Sequence, residues 1–146
     1  MKILLVDDQV TIRTFLREAI LSLGHEVAGE ASDGLEALSL YEAVKPDLVL
    51  MDIDIPIMNG FDIIDLSRRV DPNARIVVIT GTGRGAEEAH NAGAISLLRK
   101  PFSAEDLEKI VGRIDAAMRE DPKVRPKRLT EILNKPTPRG QGSIPE

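Results

Sequence analysis

A single α/β domain built on a doubly wound, five-stranded parallel sheet is predicted by three features of this 146-residue chain. Short apolar or branched segments alternate with segments of helical period, five of each. Ile3–Val6, Leu48–Met51 and Ile76–Ile79 are continuously apolar and too short for helices, as strands buried on both faces must be. Polar side chains follow the strand-like runs, where an open parallel sheet gathers its working groups.

In chain order, the first strand, Ile3–Val6, runs into Asp7 and Asp8. Ile12, Phe15, Leu16, Ala19, Ile20 and Leu23 then recur at spacings that stack them on one helix face, and Gly24 supplies the stop. A second strand is expected at Glu26–Glu30, and a helix from about Leu35 to Ala43 ends before Pro46. The third strand ends at Asp52, and the helix after it, from about Phe61 to Val70, stops before Pro72. The fourth strand reaches Thr80 and is followed by a short helix at Ala86–Asn91. Ile95–Leu98 is the fifth strand and leads to Lys100 and Pro101. Ser103-Ala104-Glu105-Asp106 then opens a last helix in the manner of a capping box, with Leu107, Ile110, Val111, Ile114 and Met118 on its inner face. Such alternation requires right-handed crossovers and helices on both faces of the sheet.

Composition narrows the function classes. Absence of cysteine excludes disulfides, thiolate metal sites and a cysteine nucleophile, and it fits a cytoplasmic protein. Two histidines, His25 and His90, argue against a histidine metal centre, and 3% aromatic residues leave little to stack on bases, so no direct nucleic-acid binding is expected. No apolar stretch is long enough for a membrane span, and the run before Asp7 is too short for a signal sequence. The net charge of −5 divides unevenly: residues 1–118 hold 12 basic and 20 acidic side chains, whereas 119–146 hold 7 and 4. Five of the nine prolines lie in that basic tail. We expect a domain over 1–119 and a Pro-rich tail or linker over 120–146. Arg125, Lys127 and Arg128 beside Leu129, Ile132 and Leu133 are also compatible with a short amphipathic helix near 126–134 that docks on a partner, a membrane surface or the body itself.

Four strand ends bring Asp7, Asp8, Asp52, Thr80 and Lys100 to one crevice. Taken singly these residues are unremarkable, since an aspartate such as Asp8 commonly caps the next helix. Together they are specific. Three carboxylates repel one another unless a cation or proton offsets their charge, and an oxygen-only donor set favours Mg²⁺ or a similar hard ion. A lysine and a hydroxyl beside that cation complete a site for a phosphoryl group, with a carboxylate as nucleophile.

The segments Ile3-Leu4-Leu5-Val6-Asp7-Asp8, Asp47 through Gly60, Ile76 through Gly81, and Lys100-Pro101-Phe102 resemble those of a two-component response regulator receiver domain of the single-domain, chemotaxis type, over about residues 1–119. The resemblance implies the flavodoxin-like strand order 2-1-3-4-5. It also implies a phosphorylation-dependent signalling protein rather than a turnover enzyme. By it Asp52 is the phosphoacceptor; Asp7, Asp8, Asp52 and the Asp54 backbone carbonyl hold Mg²⁺ or Mn²⁺; Thr80 and Lys100 bind the phosphoryl group; and the Lys100–Pro101 peptide is cis. The implied partners are a sensor histidine kinase or histidine phosphotransfer protein, an unnamed downstream protein, and a second copy of the chain in a phosphorylation-dependent homodimer. A phosphorelay intermediate, or the receiver fragment of a longer effector, is the alternative within this class.

One position departs from that pattern. Leu97 stands three residues before Lys100, where the family commonly carries Tyr or Phe, so the usual aromatic switch with Thr80 is lost. The expected outlet is then the glycine-rich loop after Thr80 and the helix that follows it. The side chains of Asp54 and Thr82 fall where the family tunes hydrolysis of the acyl phosphate.

Two rival motifs belong to other classes. Asp52-Ile53-Asp54 resembles the Asp-x-Asp pair of haloacid-dehalogenase-type phosphatases, but Pro56 departs from the residues usual after it, and catalytic turnover of a phosphate ester would be its mark. Gly81-Thr82-Gly83-Arg84-Gly85-Ala86 matches the dinucleotide fingerprint, yet it follows the fourth strand rather than the first.

Overall fold

The computed structural model describes residues 1–54, 60–81 and 85–135, with the side chains of Gly60 and Phe61 outside that description. The elements run β1 (Lys2–Val6), α1 (Val10–Ser22), β2 (Glu26–Ala31), α2 (Gly34–Val44), β3 (Leu48–Asp52), α3 (Gly60–Val70), β4 (Ile76–Thr80), α4 (Ala86–Asn91), β5 (Ser96–Arg99), α5 (Ala104–Glu120) and α6 (Pro126–Asn134). All strand pairs are parallel, in the order β2-β1-β3-β4-β5. This is the doubly wound sheet expected, and every predicted strand and helix is present to within a few residues.

Side-chain alternation along the strands divides the core into two faces. Ile3, Leu5, Leu50, Val77 and Ile79 pack with Leu16 and Ile20 of α1 and with Leu107, Val111 and Ile114 of α5. Leu4, Val6, Val49, Met51 and Val78 point the other way, against Ala37 and Tyr41 of α2, Ile63 and Ile64 of α3 and Ala89 of α4. With both faces covered, β3 and β4 are buried along their whole lengths, which fixes their register and the positions of their C-terminal residues. Helix starts are set locally. Asp33 caps α2 by accepting from the Glu36 amide, and Ser103 and Asp106 form a reciprocal capping box at α5.

The segment after α5 differs from what its composition suggests. Asp121 turns the chain by accepting the Lys123 amide at 3.0 Å, and Pro126 opens α6. Val124 and Leu129 are then 3% and 0% exposed and join the core beside α5. Proline here fixes the turn and the helix start instead of preventing packing, so the segment through 135 lies on the body. Residues 136–146 of the expected tail fall outside the described residues, as do Ile55 to Asn59 and the Thr82, Gly83 and Arg84 positions of the glycine-rich loop.

Candidate functional site

Strand ends position the site. The Asp7 amide donates to the Ala31 carbonyl at 3.0 Å, the Ile53 amide to Ile79 at 3.2 Å and the Lys100 amide to Thr80 at 2.8 Å, so the turns after β1, β3 and β5 are tied to neighbouring strands. Asp7 and Thr80 are fully buried and Asp52 is 3% exposed, while Asp8 stands exposed at the rim. Carboxylate oxygens of Asp7, Asp8 and Asp52 lie within 4.8 Å of one another. Lys100 Nζ bridges the two buried acids, 3.1 Å from Asp52 Oδ2 and 3.2 Å from Asp7 Oδ2.

Backbone donors hold the acids in place. The Gln9 amide donates to Asp7 Oδ1 at 2.8 Å and the Asp54 amide to Asp52 Oδ1 at 2.9 Å. Each buried carboxylate therefore has one oxygen fixed by backbone and the other turned toward Lys100. Asp7 Oδ2 has no aligned hydrogen bond despite the nearby ammonium. Buried oxygens left under-satisfied are costly, and this one faces two further carboxylates. An orphaned carboxylate oxygen in an oxygen-only cluster fits a hard divalent cation.

Electrostatics agree with the crowding. Burial, helped by the neighbouring Asp52 charge, raises the Asp7 carboxyl above its ordinary value against the Gln9 amide and Lys100. Burial pulls the Lys100 ammonium down, but the Asp52 hydrogen bond and the charges of Asp52 and Asp7 outweigh it, and the net shift is upward. The lysine is held charged by the acids it bridges.

The fold thus brings Asp7, Asp8, Asp52, Thr80 and Lys100 to the ends of adjacent strands, with Asp54 following β3, its side chain exposed. The Lys100–Pro101 peptide is cis. Gln9 rather than Asp8 occupies the cap position of α1, so Asp8 is not the helix cap it resembles in isolation. Leu97 is half-buried and packs on the core face of α2, α3 and α4.

Residues 3–112 match the pattern of the response regulator receiver domain. The chain belongs to that family. The chemotaxis protein CheY of Thermotoga maritima is 41% identical over 115 residues, which span 77% of this chain and 96% of that protein. Sporulation initiation phosphotransferase F of Bacillus subtilis is 36% identical over 112 residues, 75% of this chain and 90% of that protein. Among solved structures, the CheX–CheY–BeF3–Mg complex from Borrelia burgdorferi contains a chain that superposes with a TM-score of 0.73 at 27% identity, covering 81% of this chain and 89% of its own. The present receiver is accordingly a phosphorylation-dependent signalling domain, and its acidic pocket is Asp7, Asp8 and Asp52.

Sequence reasoning missed Arg13. Its guanidinium donates to the Asp7 carbonyl at 2.7 Å and faces Glu30 at 3.4 Å, bracing the turn that carries both acids. A cation in the first turn opposes the helix dipole, and that local disadvantage was the available signal.

Proposed function

We propose that Asp52 accepts a phosphoryl group from a histidine kinase or histidine phosphotransfer protein, in a reaction that requires Mg²⁺ or Mn²⁺. The bridging position of Lys100 Nζ, 3.1 and 3.2 Å from two buried carboxylates, supports this reading best. The Asp52 oxygen that faces Lys100 attacks phosphorus, the phosphorus–nitrogen bond of a phosphohistidine breaks, and the imidazole departs with the electron pair. Asp7, Asp8, Asp52 and the Asp54 carbonyl would hold the cation, whose charge would offset that of the phosphoryl oxygens and lower the repulsion met by an anionic nucleophile. Lys100 pairs with a second phosphoryl oxygen, and the Thr80 hydroxyl donates to a third. The protein assists its own phosphorylation and dephosphorylation but turns over no separate substrate, and it works in the cytoplasm.

A concave apolar surface of about 580 Å³ beside Lys100, lined by Ile12, Phe15, Gly81, Pro101 and Phe102, supports docking of the phosphodonor. Phe15 and Phe102 meet there with ring centroids 5.7 Å apart and planes tilted by 58°. Transfer from a phosphohistidine donor should label the natural protein, fail in EDTA, and fail in Asp52→Asn while that variant keeps its fold. An acid-stable label on Asp52→Asn would sink the proposal. Likeness to a sporulation phosphotransferase favours a second reading as a relay intermediate, in which the label passes on to a downstream histidine.

A further inference from the structure

We infer that α6 is the resident occupant of the surface formed by α4, β5 and α5, and that phosphorylation releases it and opens that surface to a competing helix. The inference rests on the reading of Asp52 as phosphoacceptor. α6 is held by few contacts of a definite kind. Leu129 is its fully buried apolar residue, with Ile132 and Leu133 partly buried on the same face. Arg113 of α5 donates to the carbonyls of Ile132, Leu133 and Lys135 at 2.8 to 3.1 Å. The last carbonyls of a helix lack a full set of internal donors; the Lys135 amide serves Ile132, and the Arg113 guanidinium adds donors to Ile132, Leu133 and Lys135. At the other end Arg75 donates to Val124 and Pro122 carbonyls, both at 3.0 Å.

The seam between α6 and the rest is incomplete. A cavity of about 180 Å³ remains where Thr130 and Asn134 of α6 face Ala89 and His90 of α4 and Ser96 and Leu97 of β5. β5 links that seam to the acidic pocket. It is an edge strand of the sheet, it carries Leu97 into the cavity wall, and Lys100 follows directly at its end. Thr80 and Arg99 are register partners, and the Lys100 amide is bonded to the Thr80 carbonyl. When Lys100 and Thr80 turn to a phosphoryl group, the movable element at the far end of this short lever is the helix that borders this open cleft. A nine-residue helix cannot persist alone in water, so its release is an unfolding step that switches between two states.

What leaves defines what can enter. The vacated surface would take an amphipathic helix with apolar residues at i, i+3 and i+4, the pattern of Leu129, Ile132 and Leu133, ending where Arg113 can reach its carbonyls.

Hydrogen exchange on the full chain, with beryllofluoride and Mg²⁺ as the phosphoryl mimic, tests this. Amides of Leu129 to Lys135 should exchange about tenfold faster or more when the mimic is added, while those of β1, β3 and the middle of α5 change less than about twofold. Asp52→Asn should abolish the response. Arg113→Ala should speed α6 exchange without the mimic and shrink the further increase, with the sheet still protected. Changes at Ile53 and Gly81 without any in α6 would overturn the inference and leave the phosphoacceptor reading standing. No change anywhere in the natural protein would overturn both, and normal α6 protection in Arg113→Ala would remove the latch from the argument and overturn the release mechanism.

Discussion

Replacing Lys100 by methionine removes the cation that bridges Asp7 and Asp52 while keeping most of the side-chain volume. Breaking a fully buried ion pair at one partner costs about 3–5 kcal/mol, because the remaining charge is left uncompensated. Lys100 is 18% exposed and Asp8 opens the rim to water, so solvent screening reduces the expected loss to about 2–3 kcal/mol in EDTA. A domain of this size shifts by about 2–4 °C per kcal/mol, which predicts a Tm lower by roughly 4–12 °C. Asp7, already raised by burial, can relieve the strain by taking up a proton. A carboxyl whose folded pKa exceeds the unfolded value near 3.9 contributes stability that is full below that value and is lost as pH rises through the folded pKa. The deficit of the variant should therefore grow as the pH is raised from about 4 toward neutrality. Mg²⁺ should narrow it, since a cation is more welcome among carboxylates that have lost their lysine, and each tenfold tightening closes about 1.4 kcal/mol of the gap. Thermal melts of both proteins in EDTA and across a Mg²⁺ titration measure this directly. A gap unaffected by Mg²⁺, or weaker Mg²⁺ binding by Lys100→Met, would show that the lysine organises the pocket by its shape rather than its charge.

Three further outcomes follow from other parts of the molecule. Tyr41, the chain's one tyrosine, is buried and donates to Asp71 Oδ2 at 2.8 Å, and burial with that acceptor raises its pKa. Absorbance near 295 nm should show no phenolate at about pH 10.5, where a free tyrosine is mostly ionised, and the stability due to this group should be lost as pH rises from about 10 toward the folded pKa. Leu129→Ala should cost about 1–3 kcal/mol by denaturant melt, less than the 2–5 usual for a buried leucine, because detachment of α6 caps the loss; a full 5 would mean that α6 does not detach. Ser103→Ala breaks the α5 capping box and should cost about 1 kcal/mol while leaving phosphorylation intact, measured by urea melt and label uptake.

The sheet and its helices were readable because both hydrophobic periods are clean where burial is complete. β3 and β4 are continuous apolar runs because both faces are covered, and α1 and α5 show one apolar stripe each because only one side packs. The acidic pocket was equally legible, since each member follows a strand directly and parallel topology delivers strand ends to one edge. Residues 121–135 were legible only in part: the apolar spacing of Leu129, Ile132 and Leu133 allowed the helix near 126–134, but not the choice between a linker and a helix docked on the body. Composition registers the prolines and basic side chains there but not that Asp121 and Pro126 shape a turn, nor that arginines far away in sequence close it. Nothing in the sequence singles out Arg75 or Arg113, whose roles depend on the carbonyls they serve. Leu97 is another partial reading: its departure from the aromatic pattern is visible in the sequence, but the cavity it borders depends on α6.

The pocket and α6 share one physical logic, in which a cation spans partners that do not belong to one element. Lys100 holds Asp7 of the β1 turn and Asp52 of β3 while it is attached to β5, and Arg113 holds the carbonyl end of α6 while it is attached to α5. Such bridges depend on position, because charge-assisted hydrogen bonds weaken steeply once distance or alignment fails. A phosphoryl group on Asp52 gives Lys100 a stronger and differently placed acceptor, so the ammonium cannot keep both carboxylates at 3.1 and 3.2 Å. The strand that must yield is β5, which has a sheet neighbour on one side alone, whereas β3 is clamped between β1 and β4. Chemistry at the centre of the sheet is thereby directed to its edge, where α6 is seated.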